Sequence, residues 1–430
     1  MKMNANHYDR MTLLVVVLLL QSITRLGAVE LKHRELDTTN GLPSNYIISL
    51  AQDPQGFVWM ATDNGLIRYD GYFVEVIRHS EEGNNALLLS NKLRELHQNP
   101  YNGLLFIRLQ GERFSCYDTN RRRFIDYSGD GHNEKNYSAC AFTHTGDSWL
   151  WYRGGTGCLE VNYQNGKVKA TEYNQENGSL KSNNIQFINE DSKGNVWIGT
   201  DQALYVKTPE AIAGLRAVIE KGIAYFTELN GQVFITTTEG QFFTANAKGK
   251  AKRLQHPSQA IIKGNPVTGL LPYEGQLLVV TSTATYTMVP ETGEMKSFPI
   301  EMGGEAVYSD DSGNYYMNDN KGMLHYFDIR RDAIYHFSVL GSNLINKRDT
   351  HPINVTTDQN GYVWIITKGN GFFIYDPSSQ QLQHFSPREK GISPIQTDYI
   401  QAIMNDRSGN IWLSEENIGI SILSTMPRGI

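Results

Sequence analysis

The segment Trp149-Leu-Trp151-Tyr-Arg153 holds the residues of this sequence best suited to recognising a ligand. An indole beside a phenol and a guanidinium can stack on a sugar ring and pair with an acidic group, so Trp151, Tyr152 and Arg153 are the candidate ligand-binding residues. Period-two alternation puts Trp151 on the same face as Trp149, which also gives it a packing role. Asp53, Asp191, Asp358 and Asp406 have the chemistry of general acids or calcium ligands. Each opens a turn, however, where a carboxylate accepts local backbone hydrogen bonds, and they recur far apart in the chain instead of converging. Arg121-Arg-Arg123 reads as a solvated cluster with the option of an anionic contact. The eleven histidines form neither H-x-x-H nor H-E-x-x-H, and no phosphate-binding glycine loop or G-x-S-x-G occurs. No catalytic residue, metal or cofactor is therefore expected, and the competing enzyme reading requires residues gathered from several elements at a common axis. Cys116, Cys140 and Cys158 read as small buried hydrophobes, with a Cys116–Cys140 bridge as the alternative.

The elements that carry these residues come from a repeat. Asp-x-x-Gly-x-[Val/Ile]-Trp occurs at Asp53–Trp59, Asp191–Trp197, Asp358–Trp364 and Asp406–Trp412, with weaker copies around Gly103, Gly146, Gly231, Gly275 and Gly313. Successive glycines lie 37 to 48 residues apart, the length of a four-stranded propeller blade or a helical pair. Three residues after each glycine stands Trp59, Phe106, Trp149, Trp197, Phe234, Leu278, Tyr316, Trp364 or Trp412, always large and apolar. In the first copy, strands are expected over 46–51, 57–61, 66–69 and 73–77, with turns between them. Turns this dense exclude helical pairs, so the fold class is an all-β propeller of four-stranded antiparallel blades.

Nine copies exceed the four to eight blades usual for one ring. The expected partition is a signal peptide over 1–28, a seven-bladed propeller over 29–345, two blades of a second, incomplete propeller over 346–423, and a tail over 424–430. A single eight- or nine-bladed ring is the alternative. Leu31-Lys-His-Arg-Glu-Leu36 reads as an outer strand able to close a ring. Two blades left over would expose an apolar face and free sheet edges, so under this partition the sequence reads as the front part of something longer.

Composition agrees with an all-β chain: 23 Tyr, 17 Phe, 6 Trp and 39 Gly in 430 residues. The 39 basic residues are outnumbered by 45 acidic ones, which argues against a nucleic-acid-coating surface. Lys2 and Arg10 precede the apolar run Leu13–Leu20, followed by Gly27 and Ala28. This is the pattern of an export signal, with an uncleaved anchor as the competitor. No later segment is apolar enough to span a membrane, and nothing in the sequence excludes a homodimer.

The run Gly41-Leu-Pro-Ser-Asn-Tyr-Ile-Ile-Ser-Leu, continued by Asp53-Pro-Gln-Gly-Phe-Val-Trp-Met-Ala-Thr-Asp-Asn-Gly-Leu-Ile-Arg-Tyr-Asp-Gly71, resembles the first blade of two-component regulator propellers. The resemblance extends over most of 31–423. It implies a periplasmic sensor region of a hybrid two-component system, an oligosaccharide ligand, and a complete receptor seated in the inner membrane. The kinase, receiver and DNA-binding parts of that family lie beyond two propellers, an immunoglobulin-like domain and a transmembrane helix. The implied role of this chain is thus sensing without enzymatic activity of its own. A glycan lyase or hydrolase, or a protein-docking scaffold, is the alternative.

Overall fold

The structure is a computed structural model that describes residues 29–111, 113–127, 137–152, 155–209, 214–304, 306–309, 313–319, 323–338, 352–367, 369–389 and 393–426. The expected signal peptide over 1–28 and the polar stretch from Gly341 to His351 lie outside them.

Local chemistry sets the blade. Ile47–Gln52, Val58–Thr62, Gly65–Tyr69 and Val74–Ile77 pair in chain order as an antiparallel sheet, each within a residue or two of the expected strand. Gly56, at φ 96°, closes the first turn in a backbone region that a side chain disfavours. Asp53 opens that turn by accepting the Gln55 and Phe57 N–H groups on Oδ1. Nine four-stranded sheets form in this way, eight of them from strands in chain order, so all five weak copies are genuine blades. At five of the nine junctions the first strands of neighbouring blades contact one another, which marks the first strands as the inner ones. In seven of them the register slips at the second residue, as between Ile47 and Ser49 or Ile185 and Phe187. Such bulges bend a strand and re-aim its side chains.

The seven-plus-two partition is corrected by the structure: the nine blades form one closed ring. Nine apolar clusters each join one blade to the next, including seventh to eighth through Tyr316, Tyr326, Val355 and Ile365. Ninth joins first through Trp412, Ile420, Met60 and Ile67. Ser414 Oγ donates to the Ile47 carbonyl, and the Arg407 N–H donates to Gln52 Oε1 at 2.9 Å across the same junction. The closing strand does exist, but it completes the ninth blade. Leu31–Leu36 pairs antiparallel with Gly419–Thr425, from Leu31 opposite Thr425 to Leu36 opposite Ile420. The uncovered face expected on the last blade is therefore covered by the first. Spreading the ring over nine blades satisfies the same interface nine times and leaves no blade without a neighbour.

Candidate functional site

The recurrent Asp-Trp pair is a structural tie. Trp59, Trp197, Trp364 and Trp412 each donate Nε1–H to Oδ2 of the aspartate six residues earlier, at 2.8 to 2.9 Å. The other carboxylate oxygen accepts two backbone N–H groups of the turn in every case. Both oxygens are thus engaged in holding the turn and the indole. The indole is fixed while its face packs against the next blade, as Trp59 does on Leu105, Ile107 and Tyr117.

Of the three residues singled out for recognition, Trp151 is buried, 7% exposed, and packs with Trp149, Ile185 and Ile198 between the third and fourth blades. Tyr152 follows at the strand end and is half-buried, and Arg153 lies outside the described residues. The three arginines of the cluster are exposed, and two are in ion pairs: Arg121 Nη1 is 3.2 Å from Asp118, and Arg122 Nη2 is 2.6 Å from Glu75. Arg68 is structural, its guanidinium 3.6 Å above the Phe57 ring and paired with Glu75 at 3.4 Å. The three cysteines are free, so the Cys116–Cys140 bridge is not formed. Burial opposes a charge on His97, but Cys140 and Glu95 beside the ring outweigh it and push its pKa up to about 10. Arg108 Nε in turn holds Glu95 at 2.9 Å. Among the described residues no group of three or more His, Cys, Asp and Glu is placed to hold a metal ion. None of their helices is long and apolar enough to cross a membrane.

A different place has the make-up of a binding site. Between the third and fourth blades opens a cleft of about 800 Å³, on the side of the Asp-x-x-Gly turns. The third-blade strand Cys158–Gln164 contributes Glu160 and Asn162, the turn before Ser148–Trp151 contributes Thr143, Thr145 and Asp147, and the fourth blade contributes Glu190 and Lys207. Glu160 is deeply set, its side chain 3% exposed, and it is paired with Lys207 from the equivalent strand of the next blade. The Tyr173 hydroxyl donates to Glu160 Oε2 at 2.8 Å. Burial and the Glu160 charge hold the Tyr173 phenol well above its ordinary pKa, so it stays a donor. Asn162 Nδ2 donates to Asp147 Oδ1 at 2.7 Å, and the Thr145 hydroxyl to Asp147 Oδ2 at 3.1 Å. Three carboxylates (Asp147, Glu160, Glu190) face three ammonium groups (Lys167, Lys169, Lys207), among hydroxyls and amides. Such a lining can hydrogen-bond a polar ligand in many directions without a net field favouring either sign of charge.

Trp151 and Tyr152 are not among the residues that line this cleft. The available signal was Thr143, which stands where the repeat has its aspartate.

These features define a nine-bladed β-propeller with a polar cleft at its one Trp-bearing turn that lacks the aspartate. Residues 41–64, at the first blade, and 179–202, at the fourth, match the two component regulator propeller family model. No curated protein matches the chain in sequence. Similar solved structures include the extracellular domain of the hybrid two component system BT4673 from B. thetaiotaomicron, at 16% identity and TM-score 0.42. That alignment covers 89% of this chain and 53% of the other, so the chain spans about half the length of that relative. The corresponding BT3049 domain aligns at 17% identity and TM-score 0.28, covering 89% and 69%. A virginiamycin B lyase from Staphylococcus aureus aligns at 14% identity and TM-score 0.43, covering 75% and 99%.

Proposed function

We propose that this chain is the extracytoplasmic ligand-sensing region of a hybrid two-component system. It recognises an oligosaccharide and signals by conformational change rather than by chemistry. The observation that carries this reading is the match of two separate blades to the two component regulator propeller family. The polar cleft between blades three and four supports it, because its amides, hydroxyls and paired charges suit a polyhydroxylated ligand. The tied aspartates support the non-enzymatic part, since the residues most suggestive of acid–base work have both oxygens occupied. The ligand shifts the protein between arrangements only by as much as its affinity for them differs. On this reading the protein acts in the periplasm, and the kinase it informs belongs to segments outside this sequence.

Calorimetry of the purified chain against a broad oligosaccharide panel, with product analysis of each mixture, tests the proposal. Saturable binding with the sugars recovered intact is expected. Depolymerisation would replace the sensor by a glycan-degrading enzyme, and silence across the panel would overturn the sensing role.

A further inference from the structure

We propose that the seventh blade senses acid: a second proton taken up by the pair His325–His336 breaks the bond between the two rings and releases the blade's outer strands. This role is separate from ligand recognition and does not depend on it. His325 stands on Met323–Asp328, and His336 stands directly opposite on Ala333–Ser338, the third and fourth strands of the blade. His325 is buried, and both of its ring nitrogens are engaged. Nε2 lies 2.9 Å from Asp319 Oδ2, and Nδ1 lies 2.6 Å from Nδ1 of His336. Asp319 follows the strand Tyr315–Asn318, and its other oxygen accepts the Met323 N–H at 2.9 Å. One run of hydrogen bonds thus ties a turn to both outer strands.

The proton count follows from this geometry. A carboxylate only accepts, so Nε2 of His325 carries a hydrogen. Two imidazole nitrogens 2.6 Å apart hold one hydrogen between them and not two. A first added proton keeps the tie, because an imidazolium at His325 donates to Asp319 on one side and to His336 on the other. With a second, both Nδ1 atoms bear hydrogens and the rings repel. Nε2 of His336 has no hydrogen-bond partner among the described residues, so none of them steadies an extra proton there. Burial and the neighbouring His325 hold the His336 pKa below its ordinary value, although Asp319 pulls the other way. Among the described residues, the other titratable groups on this side are Lys296, exposed and 3.3 Å from Glu294, the exposed Glu301, and the phenols of Tyr273 and Tyr315, which burial raises. Asp328, at the end of the same strand, is engaged with Arg331 at 3.2 Å. None of these is a histidine, so the pair is what changes charge just below neutrality.

The seventh blade is where such a tie matters. Its first strand, Tyr308–Ser309, has two residues, whereas every other blade's has at least four. His325 also shares a strand face with Phe327, which packs into the sixth blade through Leu278, Val280 and Met302. Because the folded pKa of His336 is depressed, its contribution to stability is present above the unfolded value and is lost as pH falls through the folded one.

The full chain and the variant His336→Gln would be compared at about pH 7.5 and about pH 5 by chemical denaturation and by hydrogen exchange corrected for its own pH dependence. A glutamine amide can donate to His325 Nδ1 or accept from it, and so tolerates either protonation state. Acid should lower protection of peptides from 315 to 338 roughly tenfold in the native chain and shift its denaturation midpoint down, with little of either change in the variant. Nitrogen-15 histidine spectra of the native chain give a second readout that stands even if the variant does not fold. One histidine should titrate below the ordinary 6.5, coupled to a second. Equal responses of the two proteins to acid, a loss of protection centred on another blade, or eleven histidines titrating independently near the ordinary value would each overturn the proposal.

Discussion

At the scale of single residues, one carboxylate does two jobs in four of the blades: it closes a turn and holds an indole. The turn role was legible from Asp-x-x-Gly. The indole bond was not inferred, although the invariant six-residue separation of Asp and Trp carried the information. Asp191→Ala would strand the Trp197 N–H, two backbone N–H groups and the Asn195 amide. Chemical denaturation should show a loss of about 3 kcal/mol, as expected for buried donors left unsatisfied. An unchanged midpoint would show that the tie contributes nothing. The opposite sign is expected at Thr143. The Trp149 N–H is buried with no hydrogen-bond partner among the described residues, and Thr143→Asp supplies the acceptor that four other blades have, which should stabilise by about 1 kcal/mol. The cleft itself was illegible for a related reason. Glu160 and Lys207 are 47 residues apart, and only the stacking of blades brings them together.

Strands and blades were the most readable level. The large residue three positions after each glycine identified even the degenerate copies, because every blade must wedge a side chain into its neighbour. That uniformity also concealed the partition: each junction uses the same kind of contact, so nothing in the residues marks where a ring ends. The closing strand Leu31–Leu36 was recognisable as a strand, while its partner depended on the blade count. Leu36 is 5% exposed and packs with Leu42, Ile67 and Ile420 at the closing junction. Leu36→Ala should cost about 2–4 kcal/mol, and hydrogen exchange should show the ninth and first blades opening first. Exchange rising uniformly around the ring would contradict that order. The ninth blade also carries a pH dependence. Burial raises the Glu415 pKa, although hydrogen bonds from Ser421 and from the Gln396 and Thr397 N–H groups pull it down. A raised carboxyl binds its proton more tightly in the folded state. Its contribution is therefore fully present below the unfolded pKa and is lost as pH rises through the folded one. Lowering pH from neutral through that elevated value should raise the stability of the native chain relative to Glu415→Gln, as measured by thermal melts. Parallel pH profiles for the two proteins would refute this.

For the molecule as a whole, closure is what turns nine marginal sheets into one structure, since it supplies every blade with two neighbours. It also fixes the third and fourth blades against each other and so gives the polar cleft its shape. Here sequence reasoning erred by taking the usual ring size as a limit. The geometry of the last junction shows why nine works: the packing of Trp412 against the first blade, with Tyr69 at 6.1 Å edge-on, repeats the contact made elsewhere. The most direct test of this ring is a cross-link over its seam. Lys32 and Ser424 are directly opposed in the closing pair, and opposed antiparallel residues lie within the span of a disulfide. The double variant Lys32→Cys, Ser424→Cys should form a 32–424 disulfide within one chain on mild oxidation, identified by peptide mapping of the monomer. A chain that forms no such link, or forms it only between two molecules, would contradict the closed nine-bladed ring.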